Sequence, residues 1–301
     1  MCLWDKLKLR GLEEKINANR LMTVVVTGLL VWNFALSDPV AGAESPRTAV
    51  VPTTINSDVL KERETILING KSLLLKIPAH PAPGKPWLWV GEFGGHLKSL
   101  EDGLVAKGWH VAYLNYGNQF GSPAAMAVWE KVYAELTGKR GLSPRPAMLG
   151  ISRGGLYVNA WARLHPDRLS VLYLDNGVCD VRSWPGGFPL TKKCASSDGD
   201  WKLCKKVFGF ASVQEALAKA VRPTDGMDKV VQAGVFLISV HGTADTKVPY
   251  EDNAKIIVDF WEQAKGRFKV FPKEGGNHHP HGLPDPKPLI DLLCAEVTKV
   301  D

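Results

Sequence analysis

The chain has 301 residues, 45% of them hydrophobic, enough for one large core or two small ones. Its 37 Lys and Arg against 31 Asp and Glu leave a formal charge of +6. That excess is too modest and too scattered to argue for a nucleic-acid partner, and no Lys/Arg run of the heparin-binding kind occurs, although an anionic substrate such as a uronic-acid polymer would be tolerated.

Residues 1–43 read as a signal peptide. A polar, net-positive head carrying Lys6, Lys8, Arg10, Lys15 and Arg20 precedes an apolar run over residues 21–36. Ala41-Gly42-Ala43 then supplies the small residues that a signal peptidase requires. The run is short and soon followed by Asp38 and Pro39, which disfavours a spanning helix. The expectation is cleavage after Ala43, a secreted or periplasmic protein, and no stable membrane association afterwards. Four cysteines then remain in an oxidising compartment, Cys179, Cys194, Cys204 and Cys294. Three connectivities are possible, and the Cys194–Cys204 pair is favoured because it closes a short polar loop. Cys179 and Cys294 can instead be buried thiols.

Residues 44–63 read as a flexible N-terminal segment. Beyond them, residues 65–68 and 72–77 form a β-hairpin around Asn69-Gly70, the preferred two-residue type I′ turn. Strand and helix patterns then alternate: strand 87–93, helix 97–107, strand 110–116, helix 124–136, strand 146–151 and helix 155–165. Strands 169–174, 235–240 and 267–271 and helices 251–265 and 288–299 complete the series. An antiparallel opening followed by βα units predicts an α/β fold, one mostly parallel sheet with helices on both faces. About sixty residues separate the strand ending near Leu174 from the one starting at Val235, far more than an ordinary crossover needs. Within them, residues 178–230 read as a small cap with one helical stretch at 213–220.

Chemistry enters at Gly150-Ile151-Ser152-Arg153-Gly154. It reads Gly-x-Ser-x-Gly and lies between a short apolar strand and a helical pattern, the context of a strained strand-to-helix turn that presents a nucleophile. A serine hydroxyl needs a histidine to take its proton, and the histidine needs a carboxylate to fix its tautomer. Asp245, in the loop after strand 235–240, is the candidate acid, with Asp175 as rival and otherwise expected to order the cap. The base comes from Gly275-Gly276-Asn277-His278-His279-Pro280-His281 after the last strand. His278 is the first choice and His279 the second; His279 is also a candidate for substrate contact, and His281 either supports its neighbours or contacts substrate. The three histidines could suggest a metal, but no complementary Cys or carboxylate motif accompanies them, so neither metal nor organic cofactor is expected. The backbone N–H groups of Phe93 and Arg153 are the candidate oxyanion donors. Trp184, on a loop with Pro185-Gly186-Gly187, is a candidate for stacking on a sugar ring.

On these residues, the chain from about Glu64 to Thr298 resembles α/β-hydrolases of the prolyl-oligopeptidase-like and dienelactone-hydrolase-like type. The motifs around Ser152, Ser183-Trp184-Pro185-Gly186-Gly187, Asp245 and His278–Leu283 are similar to those of exported bacterial hydrolases. The resemblance implies an α/β-hydrolase domain over residues 64–301 and a Ser-His-Asp mechanism. Gly-x-Ser-Arg is also similar to glucuronoyl esterases, although Gly155 and Leu156 stand in the last two places of their Gly-x-Ser-Arg-x-Gly-Lys motif. The expected activity is hydrolysis of acyl or uronoyl esters of carbohydrates, with small-molecule or oligosaccharide esters as substrates. The rivals are a prolyl-oligopeptidase-like peptidase and a non-catalytic carbohydrate-binding protein. The sequence specifies no oligomeric state.

Overall fold

A computed structural model describes residues 58–188 and 195–297. The expected signal peptide and most of the flexible segment lie outside the described residues, as does Cys194. The first strand, β1 (Leu60–Ile68), begins four residues before the expected domain boundary and turns into β2 (Lys71–Pro78). Asn69 and Gly70 between them have φ of 50° and 71°, the pair of positive values that a type I′ turn requires.

The rest alternates strand and helix: β3 (Trp87–Val90), α1 (Lys98–Ala106), β4 (His110–Leu114), α2 (Pro123–Tyr133), β5 (Ala147–Ile151), α3 (Gly154–Leu164) and β6 (Val171–Asp175). After the long connection come β7 (Phe236–Gly242), then a helix, β8 (Phe268–Lys273) and a final helix. The eight strands lie in the order β1-β2-β4-β3-β5-β6-β7-β8. β2 pairs antiparallel with β1 and β4, and every later pairing is parallel. Strands β3, β5, β6 and β7 are buried along their whole length, so both faces of the sheet are covered.

The period of two along β3 sorts its side chains between two cores. Trp87 and Trp89 face one, and Leu88 and Val90 the other. In the first core Trp89 stacks on Trp129 at 4.4 Å between centroids and meets Trp161 at 5.0 Å. The tryptophans near the nucleophile are thus largely structural.

The connection after β6 holds three helices, where the sequence suggested one: α4 (Asp198–Phe208), α5 (Val213–Lys219) and α6 (Met227–Gln232). Ser197 and Ser212 cap the first two through bonds from Asp200 and Glu215 N–H. Trp201, Cys204 and Ala216 make a small apolar cluster with Val178 and Val181, whereas Met227 and Val230 of α6 join the main core. The cap proper therefore ends before α6. Cys204 is buried in that cluster and forms no disulfide among the described residues; its expected partner Cys194 lies outside them. The helix expected over residues 251–265 starts later, as α7 (Ala254–Gln263), because Asn253 turns away from the helix. Its amide instead bonds Cys179 N–H at the cap base and Ser183 Oγ. The final helix is α8 (Lys287–Val297). No helix among the described residues is long and apolar enough to cross a membrane.

His110, buried at the start of β4, has an unpartnered Nδ1. Burial, and secondarily the Lys85 ammonium, push its pKa down to about 4. The unfolded imidazole takes a proton near its ordinary value of 6.5, so between 6.5 and 4 the unfolded state binds more protons. Stability is therefore lost as pH falls through that window, by about 3 kcal/mol from this group. His110→Phe should flatten the pH dependence of urea melts between pH 7 and 4.5.

Candidate active site

The carboxyl ends of the parallel strands supply every reactive group. β5 ends at Ile151, and Ser152 stands at φ +49°, a left-handed conformation that throws its side chain out of the strand direction. The turn is held by Ser152 N–H on Asp175 O (3.0 Å) and by Val178 N–H on Ser152 O (2.8 Å). A Cβ on Gly155 would lie 2.5 Å from Val178 O, so only glycine lets the start of α3 approach the chain that leaves β6. This gives the glycine at Gly155, which the glucuronoyl-esterase-like motif shares, a physical cause; the departure from that motif is Leu156.

Ser152 Oγ lies 3.0 Å from His278 Nε2, and His278 Nδ1 lies 2.7 Å from Asp245 Oδ2. Asp245 and His278 are both buried. The other Asp245 oxygen accepts Lys247 N–H (2.8 Å) and Val248 N–H (2.9 Å), which fixes the plane of the carboxylate. An ionised Asp245 keeps the proton on Nδ1 and leaves Nε2 free to accept from the serine. The acid and histidine loops interlock at Gly242, where a Cβ would be 2.4 Å from the carbonyls of Gly276 and Asn277. Asn176 ties them further: its Nδ2 donates to His278 O (2.7 Å) and its Oδ1 accepts Gly242 N–H (2.8 Å).

Phe93 follows β3 with φ +63°, and neither its N–H nor that of Arg153 donates to another described residue. Both stay available to a developing oxyanion. The Arg153 guanidinium is committed elsewhere. Its Nε donates to Glu92 Oε1 (2.8 Å), its Nη1 lies 3.5 Å from Asp200 of the cap, and it sits 5.1 Å from the Phe93 ring centroid. Burial pushes the Glu92 carboxyl up, and Arg153 pulls it down in part. Glu92 was not singled out in the sequence, although a carboxylate just after an apolar strand and beside a glycine-rich loop is a readable signal.

The structure corrects one expectation and narrows two others. Asp175 does not order the cap: its carboxylate accepts Tyr173 O–H (2.8 Å) and Gly282 N–H (2.9 Å) and faces His281 Nδ1 at 2.9 Å. His281, a candidate for substrate contact, is accordingly locked with its side chain only 5% exposed, because the Asp175 carboxylate draws it inward. Trp184, a candidate for stacking on a sugar ring, is half-buried against Phe120, 6.3 Å between centroids, in the cap cluster. His279 is the exposed member of the trio. Its pKa is lowered by partial burial and by the other two imidazoles. The ligand nitrogens of His278, His279 and His281 lie within 4.8 Å of one another, so the trio could hold a metal ion. That would compete with Ser152 for His278 Nε2.

No known family model matches the chain, and no curated protein does. Solved structures do. The chain is similar to a puromycin-hydrolyzing peptidase of Mycobacterium tuberculosis (17% identity, TM-score 0.59), covering 80% of this chain but only 39% of the peptidase. A 2,6-dihydroxy-pseudo-oxynicotine hydrolase is 20% identical with TM-score 0.56, over 79% of this chain and 68% of that one. MGS-M1, an α/β hydrolase from a Medee basin deep-sea metagenome library, is 16% identical with TM-score 0.54, over 81% and 98%. At these identities the likeness shows the fold, which is that of the α/β-hydrolases.

Proposed function

We propose that this chain is a serine hydrolase that cleaves carboxylic esters, with acyl or uronoyl esters of carbohydrates as the substrate class. The observation that carries the hydrolase reading is the unbroken relay from Ser152 Oγ through His278 to Asp245. Ser152 attacks the ester carbonyl as its proton passes to His278 Nε2. The Phe93 and Arg153 amides receive the oxyanion, and His278 returns the proton to the departing alcohol. Water, activated by the same imidazole, then releases the acid and restores Ser152. The carbohydrate part rests on the similarity of Gly-x-Ser-Arg to glucuronoyl esterases and on a cap that brings Asp200 beside Arg153. Export belongs to the same reading and rests on the charged head, apolar run and Ala41-Gly42-Ala43 of the sequence. A mature N-terminus other than Glu44 would count against it.

A peptidase reading is favoured by the similarity to the puromycin-hydrolyzing peptidase. One experiment separates the two. The purified protein should take a single fluorophosphonate adduct, mapped to Ser152 by mass spectrometry. It should then be assayed on acetylated, methyl-esterified and glucuronoyl-linked glycans beside aminoacyl anilides. Ester cleavage supports the first reading, anilide cleavage without ester cleavage the second, and no adduct at Ser152 overturns both.

A further inference from the structure

A cavity of about 260 Å³ lies between α3 and the cap. Leu156, Ala160, Arg163 and Leu164 present one face of α3 to it, and Phe208 and Phe210, stacked at 5.4 Å, close it from the cap side. None of Ser152, Arg153, Phe93 or His278 lines it, so it is separate from the reacting groups. Its mouth is apolar as well. Leu164 and Val221 are 58% and 51% exposed, two of only four large apolar side chains left so far in water among the described residues. Folding alone gives no reason to leave them there.

Two cations interrupt this lining, and one of them is free of an ion-pair partner among the described residues. The Arg163 guanidinium donates to three main-chain carbonyls, those of Asp225 (2.9 Å), Arg222 (3.2 Å) and Pro223 (2.8 Å). It bonds no carboxylate among the described residues, and its Nη1 donates to none of them. The carbonyls hold the group in place, and the Asp225 and Asp180 carboxylates offset its charge only in part, without a hydrogen bond to it. Lys219, also in the lining, is already paired with Glu215 at 2.7 Å. The nearby Asp180 is likewise taken by Arg182. A partly buried guanidinium that bonds no carboxylate, beside an apolar chamber, suits an anion carried on an apolar body.

We propose that this cavity is a binding site for a medium-chain monocarboxylate, its tail against Leu156, Ala160 and the Phe208–Phe210 pair and its carboxylate on Arg163. Size sets the class. A cavity of about 150 Å³ accepts benzene, so this one has room for a chain of roughly six to eight carbons.

The test uses octanoate as probe on the Ser152→Ala protein, so its outcome is independent of the hydrolase reading. By calorimetry octanoate should bind with Kd below about 1 mM, with octanol and butyrate each at least roughly tenfold weaker. Ala160→Trp, which fills the chamber, should weaken octanoate binding at least roughly tenfold while the melting temperature stays put. Octanol binding as tightly as octanoate, undiminished binding to a folded Ala160→Trp protein, or no octanoate binding at all overturns the proposal. If that variant fails to fold, NMR contacts between the octanoate methyl and the Phe208 and Phe210 rings decide instead. Bound octanoate without such contacts overturns it equally.

Discussion

Replacing Ser152 with alanine is expected to lower kcat on an activated aryl ester by about 10⁶-fold, and adding His278→Ala should then cost almost nothing more. The reason is the single path that the hydroxyl proton can take. Ser152 Oγ has His278 Nε2 at 3.0 Å, and His278 in turn has Asp245 at 2.7 Å. Without the nucleophile the base has no proton to accept, and without the base the hydroxyl stays a hydroxyl. Asp245→Asn should cost less, about 10⁴-fold, because the imidazole stays in place but turns to the wrong tautomer. The residual rate belongs to the Phe93 and Arg153 amides, which no side-chain substitution removes. The check is kcat and kcat/KM for each single variant and for the Ser152/His278 pair. Losses that multiply would mean that the two residues act separately and that the relay is not the catalytic unit.

The order Ser152, Asp245, His278 was legible because each residue closes a strand pattern, and parallel strands bring their carboxyl ends to one edge of the sheet. Gly155 was visible as part of a motif, but its cause lies in Val178, which a different strand delivers. Trp184 stayed open in the sequence for a related reason. Pro and Gly beside it signal a loop, but loop position does not tell whether a cap folds the indole inward against Phe120. Asp175 and His281 are 106 positions apart, and nothing periodic links them. Their pairing becomes visible only when β6 and the histidine loop are laid side by side. The two helices missed in the long connection were hard to read for different reasons: α4 buries only Trp201 and Cys204, and α6 spans only six residues.

Asp175→Ala is expected to destabilise the fold by about 3–5 kcal/mol, the range for removing one partner of a buried charged group. Asp175 is fully buried at the end of β6 and serves three donors. Its loss strands Tyr173 O–H, Gly282 N–H and His281 Nδ1 inside the protein, each at about 1–3 kcal/mol. Burial and the neighbouring carboxylate hold the Tyr173 phenol well above its usual range, so it remains a donor that needs an acceptor. The effect should extend to catalysis because Gly282 and His281 anchor the loop that carries His278. A misplacement of about 1 Å there would lower kcat by roughly 10²-fold, with KM less affected. Tyr173→Phe should remove one donor together with its need, costing only about 1 kcal/mol and leaving kcat near wild type. Urea melts and steady-state kinetics on both variants separate an anchor from a mere packing contact. If Asp175→Ala unfolds within about 1 kcal/mol of wild type and keeps its kcat, then Asn176 and Gly242 alone are sufficient to hold His278 against Ser152.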